Sequence, residues 1–67
     1  MKVGDRIELI AMPDDPNPIP AGTRGTIEHI NNVEFSRTDK FTQVHVRWDN
    51  GRTLMLSIPP DEVRVIG

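Results

Sequence analysis

The chain has 67 residues, no cysteine, and a formal charge of −2 from 8 basic and 10 acidic side chains. This excludes disulfides, thiolate metal sites and a thiol nucleophile, and leaves no overall positive field to draw the chain to nucleic acid. A chain of this size buries only about 60% of its unfolded surface, so one small domain over residues 1–67 with a few kcal/mol of stability is expected.

No apolar run approaches the roughly 20 residues of a membrane helix, and the N-terminus has no signal-peptide core. A soluble, cytoplasmic protein is expected. Gly4-Asp5 predicts a turn before a first strand in which Ile7 and Leu9 face one side, Arg6 and Glu8 the other. Ile10, Ala11 and Met12 blur that period, as happens where a strand bends out of a sheet.

Pro13, Pro16, Pro18 and Pro20 cannot continue a strand, because each lacks a backbone donor and fixes φ near −65°. They predict a stiff extended loop. Gly22 and Gly25 follow, as positions of positive φ or of close backbone approach. The second strand is predicted over Thr26–Ile30. Ile27 and Ile30 stand three apart, which predicts a bulge or a strand end near His29.

Asn31-Asn32 has turn character, yet Val33 and Phe35 follow at strand spacing, and Phe41 opens a third strand. Thr42, Val44, Val46 and Trp48 then share a face. Leu54, Leu56 and Ile58 mark a fourth strand, Pro59-Pro60 end it, Asp61-Glu62 suit one helical turn, and Val63 to Ile66 form a closing strand. No stretch of ten residues carries a helical period. The pattern predicts an all-β, five-stranded SH3-like barrel, with a proline-rich loop after strand 1 and an extended strand 2–3 hairpin.

The turn Asp49-Asn50-Gly51 tests the register. A two-residue Asn-Gly turn would put Leu54 and Leu56 on the face of Arg47 and His45. A three-residue loop instead pairs Trp48 with Arg52, Val46 with Leu54 and Val44 with Leu56, keeping the large apolar residues together. It predicts positive φ at Gly51 and negative φ at Asn50.

Val3-Gly4-Asp5-Arg6-Ile7, the span Pro20-Ala-Gly-Thr-Arg-Gly-Thr-Ile27, and Val46-Arg-Trp-Asp-Asn-Gly51 resemble an uncharacterised family of small bacterial and phage proteins, a domain of unknown function. The resemblance covers nearly the whole chain and implies an SH3-like fold, a phage or mobile-element source, and no catalytic residues. The chain departs from that pattern between Asn31 and Lys40, where the family turns back sooner. The Trp-Asp-Asn-Gly hairpin is also similar to SH3-like domains of mind-bomb and HERC-type ubiquitin ligases, and the opening span to KOW motifs. Those similarities rest on fold-shaping residues and say little about ligands.

Chemistry-bearing residues are sparse. His29 and His45 have no cysteine or close carboxylate partner, so no metal site and no cofactor are expected. Ser36 and Ser57 lie in no nucleophile-elbow context, and the carboxylates are scattered over turns; no enzyme is expected. Arg24 precedes the second strand and Arg47, Arg52 and Lys40 flank the hairpin; Arg24, Arg47 and Arg52 with His45 form a candidate outer-face or nucleic-acid contact. Interspersed Asp49 and Glu28 make a solvated mixed-charge surface the plainer account. The loop's Pro13–Pro16 spacing lacks a neighbouring base, and no tyrosine is present to build a polyproline groove.

Val33, Phe35 and Phe41 are large apolar groups in a segment that a minimal barrel does not need. On a protruding hairpin they form a protein-contact or self-association patch. Folded back, they cap the barrel's open end. The functional expectation is therefore a small non-enzymatic binding module, most simply for protein. A nucleic-acid-binding KOW-like module and a passive assembly component are the alternatives.

Overall fold

The computed structural model describes all 67 residues. Five strands form one antiparallel sheet: β1 (Arg6–Ala11), β2 (Arg24–Glu34), β3 (Lys40–Trp48), β4 (Leu56–Ile58) and β5 (Glu62–Val65), in the order β4-β3-β2-β1-β5. There is no helix. The sheet does not close by ladder pairing: β4 and β5 are its two edges. They are joined instead by a turn in which Asp61 N donates to Ser57 O and Ser57 N donates to Asp61 Oδ2, both at 2.9 Å. That turn stands where a helical turn is predicted.

The core gathers Ile7 and Leu9 from β1, Ile27 from β2, Val44, Val46 and Trp48 from β3, and Leu56 from β4. Ile30, Leu54, Ile58 and Val63 pack around it. Met12 and Ile19 complete it, with Ile19 only 2% exposed. The proline loop thus folds over the sheet as a lid on one end of the core, beyond the stiff connector its prolines predict. Arg52 ties it down by donating to the carbonyls of Asn17 (2.7 Å) and Pro18 (2.9 Å).

The predicted register holds where the fourth strand pairs, at Val44 with Leu56, whereas the predicted pairs Trp48–Arg52 and Val46–Leu54 are not in the ladder. Val44 pairs with Leu56, Gln43 with Ser57 and Thr42 with Ile58. Gly51 has φ +86°, no non-glycine residue has positive φ, and Gly51 N donates to Trp48 O. This matches a type I turn followed by a left-handed glycine. The fourth strand is shorter than predicted, however. Residues 52–55 are outside the ladder; Arg52 instead bonds to the proline loop, and the Trp48 indole N–H donates to the Leu54 carbonyl at 2.8 Å.

The other irregularity is also where the apolar spacing puts it. Ile27 pairs with Val46 but His29 with His45, so Glu28 is an extra residue in β2. The bulge resets the alternation and lets Ile27 and Ile30 both face the core. Beyond it the ladder runs unbroken to Glu34↔Lys40, well past the predicted end of the second strand at Ile30. Asn31 and Asn32 are therefore strand residues. The turn falls at 35–39.

Candidate functional site

β1 pairs with β2 only over Arg24–Thr26, and β4 with β3 only over Thr42–Val44. The far part of the β2–β3 hairpin therefore projects without a neighbouring strand on either side, and none of residues 31–41 is buried. At its tip Phe35 N donates to Asp39 O at 2.8 Å, while Ser36 Oγ accepts from the amides of Thr38 (3.3 Å) and Asp39 (3.1 Å). A single serine hydroxyl organises the turn.

Strand alternation sorts the hairpin's side chains into two faces. His29, Asn31, Val33 and Phe35 share the outer face with Phe41, Gln43 and His45; Val33 lies opposite Phe41, and His29 opposite His45. Phe35 is 74% exposed, and its ring packs on Phe41 with centroids 5.5 Å apart. Val33 and Phe41 are half-buried. The three apolar residues singled out in the sequence are thus brought together, on the ribbon rather than as a cap over the core.

The inner face is polar. Thr42 Oγ1 donates to Asn32 Oδ1 at 3.0 Å, and Glu34 lies 4.0 Å from Lys40. With Val33, Phe41, Ile58 and Pro59 these residues line an open cleft of about 390 Å³.

The predicted cationic surface is not assembled in the same way. Arg24 leans on Glu8 at 3.4 Å, and Arg47 on Glu28 at 3.9 Å. Arg52 is spent on the proline loop. His45 stands on the outer face, edge-to-face with His29 at 5.5 Å; His29 Nε2 also lies 3.2 Å from Asn31 Oδ1. No group of three or more His, Cys, Asp or Glu side chains is placed to hold a metal ion.

Two ion-pair clusters went unforeseen. Arg6 makes a two-pronged contact with Asp49 and also donates to Thr26 Oγ1 at 3.1 Å. Arg64 holds Glu8 at 2.7 Å, with Arg24 on its other side. The hydrogen bond from Arg64 is the main cause holding the Glu8 carboxyl below its ordinary value, and the Arg6 bond does the same for Asp49. Asp49 in turn raises Arg6. The sequence signal for both was the outward position of Arg6 and Glu8 on the first strand, but their partners lie 43 and 56 residues away.

A family model for a domain of unknown function, DUF4314, matches residues 1–66. The chain belongs to the DUF4314 family. The DUF4314 match spans nearly the whole chain, hairpin included, and brings no assigned activity or site residue. No curated protein and no solved structure matches the chain.

Proposed function

We propose that this DUF4314 chain is a small non-enzymatic binding module that engages a protein through the 31–41 hairpin. The observation that carries the reading is Phe35, largely exposed and stacked on Phe41 at the end of a ribbon that nothing else in the fold needs. A large aromatic kept in water costs solubility unless a partner covers it. The strand order and the three-residue hairpin loop support an SH3-like architecture, here left open between β4 and β5. The absence of cysteine and of a long apolar helix suits a cytoplasmic module, of the phage or mobile-element source that the resemblance implies. The pairing of Arg24 and Arg47 with carboxylates, and of Arg52 with backbone carbonyls, weighs against a nucleic-acid interface.

The test compares the wild-type chain with Phe35→Ser. A protein captured from lysate of the source cell is purified and titrated into each, and amide shifts are followed by NMR. Shifts centred on residues 31–41, lost in Phe35→Ser, support the reading. Short duplex and single-stranded oligonucleotides are titrated in parallel, and shifts with them at Arg24 and Arg47 would overturn it. Only about a quarter of Phe35 is covered, so the substitution removes about 1 kcal/mol of burial. A loss of the about 3–5 kcal/mol expected for a core phenylalanine would instead make it a structural cap.

A further inference from the structure

The hairpin's outer face accounts for Phe35 but leaves the backbone of β2 unexplained. Phe35 N donates to Asp39 O, so 35↔39 is a hydrogen-bonded pair of the β2–β3 ladder. In an antiparallel ladder such pairs alternate with pairs whose amides and carbonyls point away from each other. Counting back along the ladder, His29, Asn31 and Val33 bond to β3, and Ile30, Asn32 and Glu34 direct their N–H and C=O groups to the opposite side. Ile27 checks the count on the far side of the bulge: its N–H and C=O bond to Asp5 and Gly4, away from β3. β1 ends its pairing at Thr26, and no strand other than β3 pairs with residues 28–34.

An edge about 23 Å long is therefore open, at about 3.3 Å per residue. Edge strands are commonly guarded by lysine, proline, a bulge or a covering loop, and here the Glu28 bulge guards only the near end. Beyond it, residues 29–34 contain none of these and no Arg; the two glutamates stay more than half exposed, Glu28 at 3.9 Å from Arg47 and Glu34 at 4.0 Å from Lys40. We infer that the free edge of β2 is a strand-addition site, where an extended segment of a partner protein pairs with Ile30, Asn32 and Glu34. The occupant's chemistry follows from the faces. Its side chains alternate, apolar beside Val33 and Phe35, basic beside Glu34. The inference rests on the hairpin being the contact segment, and it names how that contact is made.

A second copy of the chain is a poor occupant. An antiparallel two-fold pairing centred on Asn31 gives the longest overlap but brings Glu28 alongside Glu34 twice. Centring it on Asn32 sets Ile30 against Glu34. The charge pattern favours a different, basic strand.

The probe is a blocked heptapeptide of alternating Lys and Val, with its Glu–Val counterpart as the charge control. On adding the Lys–Val peptide, amide exchange at Ile30, Asn32 and Glu34 slows at least tenfold, and that at Asn31 and Val33 changes little. Asn32→Pro removes an outward N–H without touching the β2–β3 ladder, so the chain stays folded and binds at least tenfold more weakly. Glu34→Pro is the second variant, should Asn32→Pro lose the Thr42 contact and unfold. Shifts confined to the Phe35 and Phe41 rings, with unchanged edge amides, would overturn strand addition and leave the hairpin contact standing. Equal binding of the Glu–Val peptide would overturn the basic occupant. A dimer mass, with the edge amides already protected in the free protein, would make the occupant a second copy.

Discussion

Gly25 offers the sharpest check on how this core is packed. It lies between two ladders, opposite Ile7 on β1 and Trp48 on β3. A Cβ placed on it would stand 2.6 Å from Val46 Cγ1, 2.9 Å from the Arg47 carbonyl oxygen and 3.1 Å from Trp48 Cε3. Carbon atoms pack at about 3.5–4.0 Å, so the methyl falls roughly 1 Å short of room at Val46. The carbonyl and the indole lie in a paired strand and a filled core, where neither yields freely. Overpacking of this kind costs about 1–3 kcal/mol, and three close neighbours put Gly25→Ala in the upper half of that range. At about 4–8 °C per kcal/mol for a domain of this size, melting falls by about 8–24 °C. Thermal unfolding followed by Trp48 fluorescence reads it directly. The double variant Gly25→Ala/Val46→Ala isolates the cause: with Cγ1 gone, the added methyl costs less than it does alone. A fall below 4 °C in the single variant would refute the packing argument, as would equal costs in the two backgrounds.

Two further outcomes follow from polar contacts. Asp61 is 8% exposed and accepts from Ser57 N, so Asp61→Ala strands a backbone donor and costs about 1–3 kcal/mol in a denaturant titration. Asp61→Asn keeps the acceptor and recovers most of that; equal losses would show that the bond contributes nothing. Glu8 and Asp49 are both held below their ordinary values by arginine hydrogen bonds. Their contribution is fully present above the ordinary carboxylate range, about pH 4, and is lost as pH falls through the lowered native values. Urea midpoints therefore drop on acidification below about pH 4, and Arg64→Met flattens that drop; an unchanged slope would sever Glu8 from it.

What was legible in the sequence is local. The hairpin register follows from which residues share a face within thirteen positions, and the Glu28 bulge follows from two isoleucines three apart. Each is a parity statement, and a wrong parity would move a large apolar side chain into water. The hairpin's length was half legible: Val33 and Phe35 hold strand spacing, but two asparagines imitate a turn until the ladder shows them paired with Gln43 and Thr42. Ile19 was missed because prolines on both sides mark a loop, and a loop's one apolar residue carries no period. The partners of Arg6, Glu8 and Arg52 lie across the sheet or in the loop, at separations no pattern encodes. Closure depends on how far the whole sheet twists, and here β4 and β5 stay apart as edges. Phe35 and Phe41 were readable as a pair, whereas the open edge beside them was not, because every residue carries the same backbone groups.

Past the Glu28 bulge and the last β4 pair at Thr42, the hairpin tip is a mechanical part with its own freedom to vary. On one side of the bulge, alternation answers to the core. On the other, Ile30↔Val44 still reaches the core and β4 pairs as far as Thr42, and from Val33↔Phe41 outward the arm answers only to its own ladder. Adding one residue to each strand lengthens the arm by about 3.3 Å and turns the tip over; adding two to each lengthens it by about 6.6 Å and restores the faces. Whole-dipeptide insertions matched on both strands would therefore carry the aromatic tip outward like sections added to a rod, with the core unaware of the change. Loss of Glu28 alone would change neither length nor faces: Ile27↔Val46 and His29↔His45 would become neighbouring pairs of a regular ladder, and only the local bend of the bulge would go.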